Sequence, residues 1–269
     1  MRYIRCFQLS NQFVQNPNIY PYNILKNKSG ELILLDGITI FYGSNGSGKS
    51  TLLNLLATKL KLKGAVPPSS HGKIDYFGQY IKEMAVSFET IEDSQNVYKI
   101  PEKSRYLKSE DILYEIKKIQ QESILQEGYR YERRQLGMTK EEWTVHKESY
   151  AMKQQMDRRI FAQEKYSNGE TAIQIFEDYL EPDGLYILDE PEASLSAENQ
   201  VKLAALLNEA SRLLACQFII ATHSPFLLGS LEATIYNLDL EGIQKSHWTQ
   251  LDTVKFYEQF FSKRSSEFH

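Results

Sequence analysis

A chain of 269 residues with 42% hydrophobic and 12% aromatic content is long enough for one large domain, or one domain carrying an insertion, and too apolar for general disorder. Its formal net charge of −4, from 31 basic and 35 acidic residues, excludes a global field drawing it onto nucleic acid or an anionic membrane and leaves only local basic patches. The two cysteines, Cys6 and Cys216, stand far apart among apolar residues and read as reduced buried thiols rather than a disulfide.

In chain order, Met1–Leu9 alternates like a strand and lacks the apolar core and cleavage site of a signal peptide, so a cytoplasmic protein is expected. Leu32–Tyr42 is too short to cross a bilayer and is interrupted by Asp36. Within it, Ile33–Phe41 reads as one buried strand, running into the glycine-rich segment Gly43-Ser44-Asn45-Gly46-Ser47-Gly48-Lys49-Ser50-Thr51. Leu52, Leu53, Leu55, Leu56 and Leu60 then predict a helix over 51–62, stopped by Gly64 and Pro67-Pro68. Short strands are expected at Ile74–Phe77 and Tyr98–Tyr106, followed by polar helices over Asp111–Gln126 and Lys140–Gln163. These make residues 100–165 a helical insertion within a single domain spanning 1–269. Alternation resumes with a helix near 171–180, a strand at 185–188, a helix at 197–215 and strands at 217–221, 234–239 and 243–248. The pattern predicts an α/β fold with a mainly parallel central sheet. Ligands of such sheets bind at the carboxyl ends of the strands.

Three of those ends carry chemistry. Gly43-x-x-x-x-Gly48-Lys49-Ser50 is a phosphate-binding loop: glycines let successive N–H groups converge, and the following helix adds its positive N-terminus. Gly43, Ser44, Asn45, Gly46, Ser47, Gly48, Lys49, Ser50 and Thr51 are therefore candidate nucleotide ligands, with Lys49 reaching the β- and γ-phosphates and Ser50 ligating Mg²⁺. After Leu185–Leu188, Asp189 is placed to hold the metal, and Glu190 to activate a water. After Gln217–Ala221, His223 can donate to a γ-phosphate. The bland alternatives are that Asp189 and Glu190 open a turn and that His223 caps one. Further upstream, Ser167, Asn168, Gly169 and Glu170 precede a helix; alone, they are equally an ordinary helix cap.

Taken together, the order and spacing of these four sets resemble the ATP-binding-cassette family: phosphate loop, helical insertion, signature, acidic strand, switch histidine. The resemblance implies a P-loop fold of that type with an antiparallel β portion. It implies ATP and Mg²⁺ as ligands, and a homodimer in the ATP state in which Ser167, Asn168, Gly169 and Glu170 act across the interface. Glu192-Ala-Ser-Leu-Ser196 resembles the family's D-loop, with Ser196 where transporters carry Asp. Asn168 and Glu170 depart from the transporter signature, and no clear glutamine loop is present; Gln79 and the Lys108–Asp111 segment are the two candidates for it. Tyr20 or Tyr22 stands where an adenine-stacking aromatic is expected.

Asp189–Ser196 and Ile219–Pro225 resemble the stand-alone ATPases related to repair and chromosome-maintenance proteins, and Gln217–Leu228 and Ala233–Gly242 resemble a group of small bacterial ATPases. The expected activity is ATP hydrolysis to ADP and phosphate, catalysed by Glu190, His223 and Lys49, in DNA maintenance or phage defence. The alternatives are a transporter's ATP-binding subunit and a phosphotransferase. A protein partner is expected at the helical insertion. Arg130, Arg133, Arg134, Lys153, Arg158 and Arg159 are the basic clusters that nucleic acid would use, weakened by interleaved glutamates.

Overall fold

The computed structural model describes residues 2–68 except 15 and 17, then 74–91, 96–118, 168–193 and 195–268, together with 121 and 133. Nine strands are found among them: β1 (Ile4–Gln8), β2 (Leu32–Leu34), β3 (Ile38–Tyr42), β4 (Ala85–Phe88), β5 (Arg105–Lys108), β6 (Leu185–Asp189), β7 (Gln217–Ala221), β8 (Thr234–Asn237) and β9 (Gln244–Lys245). The α-helices are α1 (Lys49–Lys59), α2 (Tyr76–Glu83), α3 (109–118), α4 (Asn168–Tyr179), α5 (Ala197–Leu213), α6 (Pro225–Ser230) and α7 (Asp252–Lys263).

Six strands form one sheet in the order β5-β6-β7-β3-β8-β9, parallel except for β9 at its edge. β3, β6 and β7 are buried along their whole length, which is why they read as continuous Ile, Leu and Phe runs instead of alternating. Ile38, Ile40, Tyr186 and Leu188 point into a core covered by α3, α4, α5 and α6. Phe41, Leu185 and Ile187 point to the other face, onto the leucines of α1 and the antiparallel sheet β2-β1-β4. The fold is thus the expected α/β arrangement with a mainly parallel sheet and an antiparallel portion.

Several local expectations need correction. Ile33–Phe41 is two strands in two different sheets. The break comes at Asp36, whose carboxylate accepts from Thr234 Oγ1 at 2.6 Å and whose N–H donates to Thr39 Oγ1 at 2.9 Å, turning the chain between the sheets. Ile74–Phe77 is not a strand: Asp75 accepts from Gly78 N at 2.9 Å and caps α2 there. Of the span 100–165, Arg105–Lys108 is a strand of the main sheet and α3 packs Ile112 and Ile116 into its core. The rest of that span lies outside the described residues apart from 121 and 133. Cys216 is buried and Cys6 half-buried, both free.

Parallel registry brings three strand ends level. Phe41 and Asp189 both pair with Ala221, so the loops after β3, β6 and β7 open at one edge of the sheet.

Candidate functional site

The loop between β3 and α1 depends on two left-handed glycines, Gly46 at φ 84° and Gly48 at φ 99°. A Cβ on Gly48 would lie 2.9 Å from Ile24 Cγ2, so side chains are excluded there by space as well as by backbone conformation. At Gly46 a Cβ would meet nothing within 4 Å, because the loop faces an open cavity of about 290 Å³ lined by Ile24, Asn45, Gly46, Lys49, Ser50 and Glu190, among others. The first amides of α1 have no intrahelical acceptors and lie at this mouth, which gives an anion a ready set of donors. Lys49, only 5% exposed, folds back so that Nζ donates to Gly43 O at 2.7 Å and Ser44 O at 3.2 Å and lies 3.7 Å from Glu190 Oε1.

Asp189 sits beneath this loop. Ser50 Oγ donates to Oδ1 at 3.0 Å, and Tyr106 OH donates to Oδ2 at 3.0 Å. Burial pushes the Asp189 carboxyl above its ordinary range, against the pull of those two donors. The same burial, together with the adjacent carboxylate, drives the Tyr106 phenol well above its usual value. Among the described residues no group of three or more His, Cys, Asp or Glu could hold a metal. The Ser50 and Asp189 oxygens nevertheless fit a hard cation that completes its shell with phosphate oxygens and water, as Mg²⁺ does.

Glu190 follows in a left-handed conformation at φ 49°, uncommon for a residue with a side chain, its N–H held by Ala221 O at 2.9 Å. This turn points the carboxylate, 34% exposed, toward both Lys49 and His223, whose Nδ1 lies 3.5 Å from Glu190 Oε1. Glu192, two residues on, is buried and accepts from Thr222 Oγ1 at 2.5 Å and His223 N at 3.2 Å.

The structure therefore gathers Gly43–Thr51, Asp189, Glu190 and His223. Of the signature, Ser167 lies outside the described residues, and the backbone of Asn168, Gly169 and Glu170 forms the first turn of α4. Ser196 caps α5, accepting from Asn199 N at 3.3 Å. Between the two glutamine-loop candidates, the Lys108–Asp111 segment is the one beside the acidic strand, since Lys108 pairs with Asp189; Gln79 is occupied with Glu83 at 3.0 Å. Tyr22 is buried with its OH on Glu83 at 2.8 Å, whereas Tyr20 stacks on Phe77 with ring centroids 5.9 Å apart. Of the six basic residues, Arg133 alone is among the described ones. Two site residues escaped the sequence reading, Tyr106 and Asp239, and Glu192, read there as the start of the D-loop, was not expected beside His223. Asp239 takes Ser44 N at 2.9 and 2.8 Å and Ser44 Oγ at 2.8 Å.

Residues 77–229 match the family described as "AAA domain, putative AbiEii toxin, Type IV TA system". The chain belongs to this family. Within the matched stretch of this AAA-domain protein lie Asp189, Glu190, Glu192 and His223; the glycine loop precedes it. The membership agrees with the ATP-binding-cassette resemblance of the motifs and with nucleotide hydrolysis as the general activity. No curated protein matches the chain. Solved structures similar to it include the Smc head domain of Pyrococcus furiosus bound to the C-terminal domain of ScpA, at 13% identity and TM-score 0.46 over 97% of this chain and 100% of that one. The SMC head domain of Thermotoga maritima matches at 14% and 0.46 over 91% and 99%. A nucleotide-free ATP-binding cassette from an ABC transporter matches at 16% and 0.45 over 96% of both chains. Among the described residues no helix is long and apolar enough to cross a membrane.

Proposed function

We propose that this chain hydrolyses ATP to ADP and phosphate in a Mg²⁺-dependent, non-transport reaction, in a site completed by a second copy bound head to tail. The observation that carries this reading is the meeting of five groups from three strand ends: Ser50 on Asp189, with Glu190 between Lys49 and His223. A turn-capping role for Asp189 and Glu190 does not account for it, because both carboxylates face the glycine loop.

In this reading the amides of Gly46 to Thr51 hold the phosphates, and Lys49 exchanges its carbonyl partners Gly43 and Ser44 for phosphate oxygens. Ser50 and Asp189 hold Mg²⁺, which neutralises charge on the phosphate oxygens. Glu190, partly exposed, reaches water and takes its proton during in-line attack. His223 senses the terminal phosphate. Ser167, Asn168, Gly169 and Glu170 of one copy close over the nucleotide of the other, and the span between α3 and α4 carries a protein partner. The cellular setting is cytoplasmic, in DNA maintenance or phage defence.

Phosphate release and calorimetric titration with Mg-ATP test the assignment. Glu190→Gln should lower turnover about 100-fold or more while ATP affinity stays within threefold, and Lys49→Ala should abolish both. Unchanged turnover in Glu190→Gln rules out this base. Stimulation of the unaltered chain by double-stranded DNA selects the DNA-linked role.

A further inference from the structure

Glu192 has no part in the reaction just described, yet its placement is costly. Only 7% of its surface is exposed, and Oε2 is buried with no hydrogen-bond partner among the described residues. Burying a carboxylate without pairing both oxygens disfavours the charged form, and burial does push this carboxyl upward. Its Oε1 accepts from Thr222 Oγ1 and from His223 N. A neutral amide oxygen would serve those two donors equally well, so bracing the turn does not explain a carboxylate.

The turn is already braced from its other side. Thr222 Oγ1 accepts from Ser224 N at 3.0 Å, and Ser224 Oγ meets Gln200 Oε1 of α5 at 2.5 Å. Residues 222 and 224 are thus pinned on either side of His223, whose ring remains 52% exposed. Ring orientation is the freedom that is left. Nδ1 faces two carboxylates, Glu190 Oε1 at 3.5 Å and Glu192 Oε1 at 3.7 Å. These exceed a formed hydrogen bond by about 0.6–0.8 Å, a gap that a small ring rotation closes. Carboxylate oxygens only accept, so a nitrogen drawn to them carries a proton. Glu190 must turn to a water during turnover; Glu192 is fixed.

We propose that Glu192 is a positioning residue for His223: its buried carboxylate draws Nδ1–H inward and leaves Nε2 free for a phosphate oxygen of the bound nucleotide. The second half of this inference rests on the nucleotide site proposed above; the first half does not. When Nε2 also carries a proton to donate to phosphate, the ring is a cation and Glu192 supplies the opposing charge.

Nitrogen-15 NMR of histidine-labelled protein reads the tautomer directly, with the His223 signals assigned by their loss in His223→Gln. In the nucleotide-free wild type, His223 should be the Nδ1–H tautomer, and in Glu192→Gln it should shift to mainly Nε2–H. Turnover in Glu192→Gln should fall about tenfold with ATP affinity within twofold. Thr222→Val, which keeps the carboxylate, should retain the tautomer. A mainly Nε2–H ring in the wild type, which needs no variant to fold, overturns the proposal, and so does an unchanged tautomer in Glu192→Gln. If the tautomer follows Glu192 but the wild type neither binds nor hydrolyses ATP, positioning stands and the nucleotide reading fails.

Discussion

At the residue scale, Asp239 shows how a surface carboxylate can shape the glycine loop from outside its motif. Its two oxygens take the N–H and hydroxyl of Ser44, and Ser44 O in turn accepts from Lys49 Nζ. Both ends of this short relay are tied to the first turn of the loop, so Asp239 fixes where Lys49 begins its reach. Asp239→Ala should therefore weaken ATP binding about tenfold, a loss of about 1.4 kcal/mol, and leave the melting midpoint within about 2 °C because the lost contacts are exposed. Isothermal titration and thermal unfolding on one preparation check both; unchanged affinity would show that Ser44 is held without it. The contrast with Lys49, Ser50, Asp189 and Glu190 explains what the sequence made legible. Those residues lie in two contiguous motifs whose chemistry is local. Tyr106, Glu192 and Asp239 act across 83, 30 and 195 positions of chain, and no spacing rule reaches that far.

At the element scale, one buried side chain ties the two sheets together at four backbone groups. Gln217, the first residue of β7, is fully buried. Its Oε1 accepts from Tyr3 N at 2.8 Å and Ile4 N at 3.0 Å, and its Nε2 donates to Ile4 O at 2.9 Å and Asp36 O at 3.1 Å. The start of β1, the middle strand of the antiparallel sheet, is thus tied to the first residue of a main-sheet strand through an amide. Gln217→Met, similar in volume, leaves these backbone groups unpaired in the core and should cost about 3 kcal/mol. Urea unfolding should show a lower midpoint with an unchanged slope; a loss under 1 kcal/mol would mean that water replaces the amide. Strands buried on both faces, β3, β6 and β7, were legible as apolar runs. The boundary between β2 and β3 was missed although Asp36-Gly37 interrupts the apolar run, because a lone Asp within a strand reads as tolerable until its tertiary partners, Arg2 and Thr234, are seen to fix the break there. α2 was misread because the four residues Ile74–Phe77 are too few to show a period, and the Asp75 cap decides it.

At the scale of the whole molecule, the parallel sheet places every proposed catalytic group at one edge, but the signature Ser167–Glu170 enters that edge only from a second copy in the proposed mechanism. Sharing of this kind has a consequence that a site within one chain cannot reproduce. Lys49→Ala should inactivate the phosphate loop and Ser167→Arg the signature, so neither variant alone can assemble a whole site. Mixed in equal amounts, half of the dimers contain one of each. In those, one site joins both defects, and the other joins the intact loop of the Ser167→Arg chain to the intact signature of the Lys49→Ala chain. Activity should therefore return to about a quarter of wild type, given random exchange in a twofold head-to-tail pair, and should rise with total protein concentration before levelling off. Light scattering with Mg-ATP would follow the same pairing. If the mixture stays as inactive as its parents while the wild type turns over at a rate independent of concentration, each chain works alone, and Ser167, Asn168, Gly169 and Glu170 return to the simpler role of starting α4.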